Sequence, residues 1–261
     1  MPLILGVKVD TITREQAIIR VERLLKDGGQ HILTTPNPEF IVAAQNDAEF
    51  RNILNRASLA LPDGFGLMLA AKFLRLPFKE RIAGSDFVWD IARLAVAGGY
   101  SVYLLGAGEG VAAAAAAKLK IKNVKLKIVG AESGVLLTPS PLPAPYRTCS
   151  GAGMGEGGGE GVIKRIRDVA PDILLVAFGH PKQEKWIASH LAELPSVKIA
   201  MGVGGALDFI AGRVRRAPRL LRALGLEWLW RLFLQPWRIV RIYRAVVLFP
   251  ALIARSYLTK R

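Results

Sequence analysis

The sequence predicts an α/β fold: a Rossmann-like parallel sheet with helices on both faces, followed by a basic helical C-terminal appendage. Three observations predict it. Short runs of almost continuous Val, Ile and Leu alternate with longer helical patterns, as strands buried on both faces and crossover helices require. The chain has 261 residues, 51% hydrophobic and 22% charged, enough to bury a sizeable core. The charge is uneven: residues 213–261 hold twelve Lys/Arg against one acid, Glu227, whereas residues 1–212 hold 24 basic and 20 acidic groups. A nearly balanced domain over 1–212 and a strongly basic appendage over 213–261 follow.

The strands are expected at His31–Thr35, Ser58–Leu61, Ser101–Leu105, Lys125–Val129, Asp172–Phe178 and Lys198–Val203. Helices are expected between them, at Glu39–Arg56, Gly64–Leu74, Ser85–Ala97, Gly110–Lys120, Val162–Val169 and Lys182–Leu194. Residues 139–161 hold several prolines and then a glycine-rich run from Gly151 to Gly159, which reads as a flexible loop, either an inert connector or a lid. Ligands of parallel sheets sit beyond the carboxyl ends of the strands, so the residues after each strand are where chemistry is sought.

Composition narrows the classes. Cys149 is the single cysteine, so no intramolecular disulfide is expected. The segment Met1 to Gly6 lacks a positive n-region and a long apolar run, so no signal peptide is expected. No run reaches the roughly 18 uncharged apolar residues of a membrane-spanning helix. The ten residues from Ala245 to Ala254 come nearest, with Pro250 inside and Arg244 and Arg255 on either side, and suit an interfacial or buried segment. A basic tail seeks phosphate, in nucleic acid or an anionic membrane. Its long apolar runs favour lipid, and nucleic acid is not expected as a partner.

Four loops carry candidate chemistry. In Thr34-Thr35-Pro36-Asn37-Pro38-Glu39, Asn37 suits a helix N-cap and Pro38 the first turn. Thr35 and Asn37 either only start that helix or also offer polar groups beside an N-terminus that favours phosphate. In Pro62-Asp63-Gly64, Asp63 is either a turn residue or a carboxylate at a strand end able to take a proton from a hydroxyl. Arg81, before Gly84-Ser85-Asp86, is either a surface charge or a diphosphate clamp. In Gly106-Ala107-Gly108-Glu109-Gly110, the glycines either let a helix pack closely or cradle a nucleotide's phosphates. The spacing departs from the dinucleotide fingerprint, and Glu132 is expected past Gly130 in a loop rather than at a strand end. In Gly179-His180-Pro181-Lys182-Gln183-Glu184, Gln183 can donate and accept, which suits a uracil edge or sugar hydroxyls. His31 and His190 read as structural, and so does Asp208, a rival carboxylate.

These segments occur in one order: Thr-x-Asn-Pro-Glu, Pro-Asp-Gly, Arg81 with Gly-Ser-Asp, Leu-Leu-Gly-x-Gly-x-Gly-Val, Phe-Gly-x-Pro-Lys-Gln-Glu-Lys-Trp, Gly-Val-Gly-Gly-Ala-Leu-Asp-Phe, then Arg-Ala-Pro and Leu-Glu-Trp-Leu-Trp-Arg. From about Gly6 to Arg238 the set resembles the WecG/TagA/CpsF family, glycosyltransferase family 26. The resemblance implies an inverting, metal-independent transferase that uses no cofactor. It would move a sugar, commonly N-acetylmannosamine or its uronate, from a UDP-sugar donor to an undecaprenyl-diphosphate-linked sugar in surface-polymer synthesis. It implies Asp63 as general base, with Thr35, Asn37, Arg81 and Gln183 lining the site. It places the enzyme at the cytoplasmic face of the bacterial membrane, docked by its C-terminal appendage. The sequence has no Asp-x-Asp motif to hold a nucleotide-bound cation.

With no metal, cationic groups would stabilise the departing diphosphate. Arg81 is one candidate. Arg213, Arg215, Arg216, Arg219 and Arg222, packed into ten residues, are others, or are a membrane-facing basic patch. Read as one continuous helix, the tail spreads Arg231, Arg238, Arg241 and Arg244 over roughly 140° among Trp228, Trp230, Trp237 and Tyr243, as an interfacial helix would. The apolar tail could also pair with a second subunit. The rival readings are a nicotinamide-dependent oxidoreductase, resting on Gly106 to Gly110 alone, and a non-catalytic scaffold of a polysaccharide pathway.

Overall fold

The computed structural model describes residues 2–133 and 156–259. It contains a six-stranded parallel sheet flanked by helices, with further helices at the C-terminus. The strands are β3 (His31–Thr34), β4 (Leu59–Ala60), β5 (Ser101–Gly106), β6 (Lys127–Glu132), β7 (Ile173–Ala177) and β8 (Ile199–Gly202), in the order β4-β3-β8-β7-β5-β6. A separate antiparallel pair, β1 (Leu3–Ile4) and β2 (Val7–Lys8), turns through Leu5 and Gly6, both at positive φ.

By internal contacts the chain falls into two compact units, residues 1–17 with 34–83 and 215–261, and residues 18–33 with 84–214. The sequence expectation of a body over 1–212 and an appendage over 213–261 divides the chain differently: here the tail shares a unit with the segments that carry Asp63 and Arg81. The physical reason is a common core. Phe249 and Ile253 from the tail are buried with Ile4, Val7, Phe40, Ile41, Phe50, Leu54 and Leu67.

In the first unit, α2 (Pro38–Asn46) and α3 (Ala48–Arg56) replace the single helix expected over 39–56. Asp47, extended at φ −133, ends one helix and caps the next by accepting from Phe50 N at 3.0 Å. Next comes α4 (Phe65–Phe73). The tail forms α10 (Arg219–Ala223), α11 (Glu227–Leu234), α12 (Ile239–Tyr243) and α13 (Phe249–Leu258). A continuous helix through Arg231 and Arg244 is not formed. Gln235 is extended at φ −140 and Pro236 supplies no N–H, so α11 stops and a short 3₁₀ turn follows. The shared arginine face read from the sequence therefore does not exist.

The second unit holds α5 (Gly84–Gly98), α6 (Val111–Lys122), α7 (Glu156–Val169), α8 (Lys182–His190) and α9 (Ala206–Ala211) around β5 to β8. β7 is buried throughout and pairs with β5 on one side and β8 on the other. Asp172 ties the amino ends of these strands: its carboxylate accepts from Ser101 N and Oγ at 2.9 Å and pairs with Lys198 Nζ at 2.9 Å. The helix α1 (Arg14–Lys26), which the motif reading passed over, buries Ala17, Val21 and Leu25 at i, i+4 and i+8.

Two local expectations are corrected. α7 begins at Glu156, so the last six positions of the expected loop over 139–161 are helical, and positions 139–155 lie outside the described residues. Glu132 is not in a loop: it ends β6, in register with Leu105. It is engaged there by Tyr103 Oη, donating at 2.6 Å, and by Arg165 at 2.8 Å.

Candidate active site

In the first unit the site grows from two adjoining strand ends. Leu61 N donates to Thr34 O at 2.8 Å and Asp63 N to Pro36 O at 3.0 Å, which lays Pro62-Asp63 beside Thr35-Pro36-Asn37. Asp10, buried upstream, grips Ala60 twice: its carboxylate accepts from Ala60 N at 2.7 Å and its N–H donates to Ala60 O at 2.9 Å. Ile82 N donates to Pro62 O at 2.8 Å, which fixes the backbone next to Arg81. Thr35 is buried, while Asn37, Asp63 and Arg81 are half-buried.

Asn37 caps α2, its Oδ1 accepting from Phe40 N at 3.1 Å, so its Nδ2 is the group left to meet a ligand. Gly64 is at φ +89, and a Cβ there would lie 3.0 Å from Pro38 Cδ. The turn that carries Asp63 thus needs glycine for its conformation and for its close approach to α2.

The tail adds an alternating chain of charges to the same unit. Arg216 Nε lies 3.8 Å from Glu227 Oε1, and Arg231 is 3.8 Å from the same oxygen. Arg241 donates to Glu39 Oε2 from Nη2 at 2.8 Å and from Nε at 3.1 Å. Burial makes the Arg231 guanidinium a weaker base; the fields of Glu227, Asp63 and Glu39 oppose this and that of Arg241 adds to it. Asp63 is thus within electrostatic reach of Arg231. Helical periodicity predicts Arg231 and Arg241 on one membrane-facing helix, whereas here they meet Glu227 and Glu39. Pro236 is the sequence signal for this difference, because it follows the end of α11 and supplies no N–H to continue the helix. Of the predicted tail cluster, Arg222 has its Nε buried without a hydrogen-bond partner among the described residues, Arg216 joins the chain of charges, and Arg219 begins α10.

The second unit carries the other predicted residues at the carboxyl ends of three neighbouring strands. From β5 the chain crosses to β6 on one side and then to β7 on the other, so the loops after β5 and β7 flank a topological switch point. Gly106 is at φ +103, and a Cβ would lie 2.9 Å from Ala177 C and from Phe178 Cδ1. Ala107 N donates to Ala177 O at 2.9 Å, and Gly108 O accepts from Val111 N at 3.0 Å as α6 begins. Close packing alone requires Gly106; the α6 N-terminus that follows is suited to an anion. Arg213 is exposed, and its Nη2 would lie 3.9 Å from a Cβ on Gly110.

Gln183 is buried at the start of α8. Its Oε1 accepts from Gly179 N at 3.1 Å and from Gly204 N at 2.9 Å, and its Nε2 donates to Glu184 Oε1 at 2.7 Å. It therefore braces the loops after β7 and β8. Burial pushes the Glu184 carboxyl up to about 7, against the opposing hydrogen bonds of Gln183 and its own N–H. His31 and His190 bond Asp27 and Glu193, each at 2.8 Å, and Asp208 lies in the first turn of α9. Among the described residues no three His, Cys, Asp or Glu side chains gather as a metal site would. No helix among them is long and apolar enough to cross a membrane.

A protein-family model described as the glycosyl transferase WecG/TagA/CpsF family matches residues 2–261. Relatives from Staphylococcus aureus strains MRSA252 and MW2, each named N-acetylglucosaminyldiphosphoundecaprenol N-acetyl-beta-D-mannosaminyltransferase, are 29% identical over 258 residues, covering 97% of this chain and 92% of theirs. The full-length family match shows that this chain belongs to the WecG/TagA/CpsF glycosyltransferase family.

Proposed function

We propose that this protein transfers N-acetylmannosamine, or its uronate, from a UDP donor to a GlcNAc carried on undecaprenyl diphosphate, with inversion and without a metal. The observation that carries the reading is Asp63: a half-buried carboxylate fixed at the end of β4, beside the start of α2, with the Arg231 charge in reach. Asp63 would accept the proton of the acceptor hydroxyl as oxygen attacks the anomeric carbon and the carbon–UDP bond breaks. Arg81 and Arg231 would offset the charge that grows on the diphosphate, aided by helix N-termini. The relatives' names support the sugar and the lipid-linked acceptor.

Membrane docking at the inner leaflet belongs to the same reading. Exposed Phe233, Ile239, Val240, Tyr243 and Val247 stand among the arginines of the tail, and exposed Phe65, Leu69 and Phe73 line α4 of the same unit. Apolar side chains interspersed with basic ones suit an anionic bilayer surface, where a lipid-linked acceptor presents its head group.

UDP release from a panel of UDP-sugars in EDTA, with a short-chain lipid-diphosphate-GlcNAc acceptor, tests this. Release that depends on the acceptor is expected with UDP-N-acetylmannosamine or its uronate. Release only after a divalent cation is added would remove metal independence, and no release with any donor would remove the assignment.

A further inference from the structure

We propose that Glu184 is a positioning residue of this site: by holding the Gln183 amide in one orientation, it fixes the loops after β7 and β8. The inference rests on the transferase reading for its catalytic consequence, but the arrangement itself is geometric. A glutamine amide can sit in either of two orientations, and here each atom has a distinct task. Oε1 must face two donors, Gly179 N at 3.1 Å and Gly204 N at 2.9 Å. Nε2 must face an acceptor, and Glu184 Oε1 supplies it at 2.7 Å. Without that acceptor, the orientation that serves both glycines leaves a buried NH2 group without the bond it now makes, and the flipped orientation sets that NH2 against two N–H groups.

The pair lies against the end of β8. A Cβ on Gly202 would fall 2.5 Å from Gln183 Nε2 and 2.6 Å from Glu184 Oε1, so the strand gives up a side chain where the amide and carboxyl meet. For stability alone an apolar residue would serve better at position 184. The side chain is buried, burial opposes its charge, and Oε2 has no partner in another described residue. What the carboxyl contributes is the acceptor for Nε2. Gly179 follows β7 and Gly204 follows β8, both on the carboxyl side of the sheet where a parallel-sheet ligand is read.

The test uses the full chain with Glu184→Leu, and Glu184→Met as a second apolar replacement, against the acceptor-retaining Glu184→Gln. Two quantities are read: hydrogen exchange at the Gly179 and Gly204 amides, and steady-state transfer from the UDP-sugar. The apolar variants should remain folded, exchange both amides about tenfold faster or more, and raise the donor KM about tenfold. Glu184→Gln should stay near wild type in both. Unchanged exchange in the apolar variants, faster exchange with unchanged donor KM, or a Gln variant as impaired as the Leu variant would each overturn the proposal. If wild type transfers from no UDP-sugar, the functional reading fails while the exchange comparison still decides whether Glu184 braces the loops.

Discussion

Arg241 and Glu39 meet across 202 positions of sequence, the guanidinium donating twice to one carboxylate oxygen, at 2.8 and 3.1 Å. Glu39 lies in the first turn of α2, directly after the Asn37-Pro38 start. The pair therefore ties the tail to the helix whose N-terminus adjoins Asp63. A charge-assisted double contact to a half-buried acid contributes roughly 1–3 kcal/mol. Arg241→Ala should lower the unfolding free energy by about that amount, and Arg241→Lys should recover only part of it, because an ammonium cannot donate from two points of a planar fork. Full recovery by lysine in denaturant titrations would show that charge alone, not the fork, holds the contact.

Asp63→Asn keeps the shape of the turn and removes its ability to take a proton. Transfer should fall by about 10²–10⁴, with the chain still folded and UDP affinity by calorimetry near wild type. The backbone contacts that place residue 63, through Pro36 O, do not involve its side chain. Near-normal turnover would remove Asp63 as the base.

Much of the sheet was legible because β7 is an unbroken apolar run and β5 and β8 are nearly so, each bounded by turn residues, as strands buried on both faces require. The Asn37 cap was legible for a similar reason: the side chain and Pro38 act within one turn. What was not legible depended on distant partners. Asp47 reads as an ordinary polar residue until its carboxylate is seen capping α3. Arg231 and Arg241 read as a solvent or membrane face under helical periodicity, and only the break at Gln235-Pro236 turns them toward Glu227 and Glu39. Gln183 reads as a ligand-facing amide, whereas its hydrogen bonds go to two backbone N–H groups and to Glu184.

The tail is also core, and that gives a third prediction. Phe249 is 1% exposed and packs with Ile4, Phe40 and Phe50. Phe249→Ala should cost about 3–5 kcal/mol, whereas Phe233→Ala on the exposed side of α11, 77% accessible, should cost less than about 0.5 kcal/mol. Truncation after Leu224 should then unfold the first unit rather than trim an appendage. A truncated chain with a wild-type melting temperature would refute this.

The Glu184 carboxyl makes stability depend on pH with a definite sign. Folding raises its affinity for a proton, from the ordinary 4.5 to about 7. The folded chain therefore binds more protons than the unfolded chain between those values, and stability falls as pH rises through that window. A shift of this size corresponds to about 3 kcal/mol. Glu184→Gln cannot titrate, so its stability should gain on wild type by up to about 3 kcal/mol between pH 5 and pH 8. A difference between the two proteins that stays constant across that range would mean that the carboxyl does not titrate there.

Membrane docking separates from folding when only exposed side chains are changed. Phe233 and Val240 are 77% and 58% accessible, so replacing each with Asp removes apolar surface and adds charge of the wrong sign without touching the core. Burying a side chain of this size in the interfacial region contributes about 1.5–3 kcal/mol, and repulsion from anionic lipid adds to the loss. Phe233→Asp with Val240→Asp should therefore reduce partitioning onto phosphatidylglycerol vesicles by more than about 100-fold. Wild-type binding should weaken as salt screens the arginines, while a remaining apolar component persists at about 1 M salt, where the Debye length is about 3 Å. Partitioning by the double variant equal to wild type would place the docking surface elsewhere. Binding abolished by salt alone would assign it to charge rather than to these side chains.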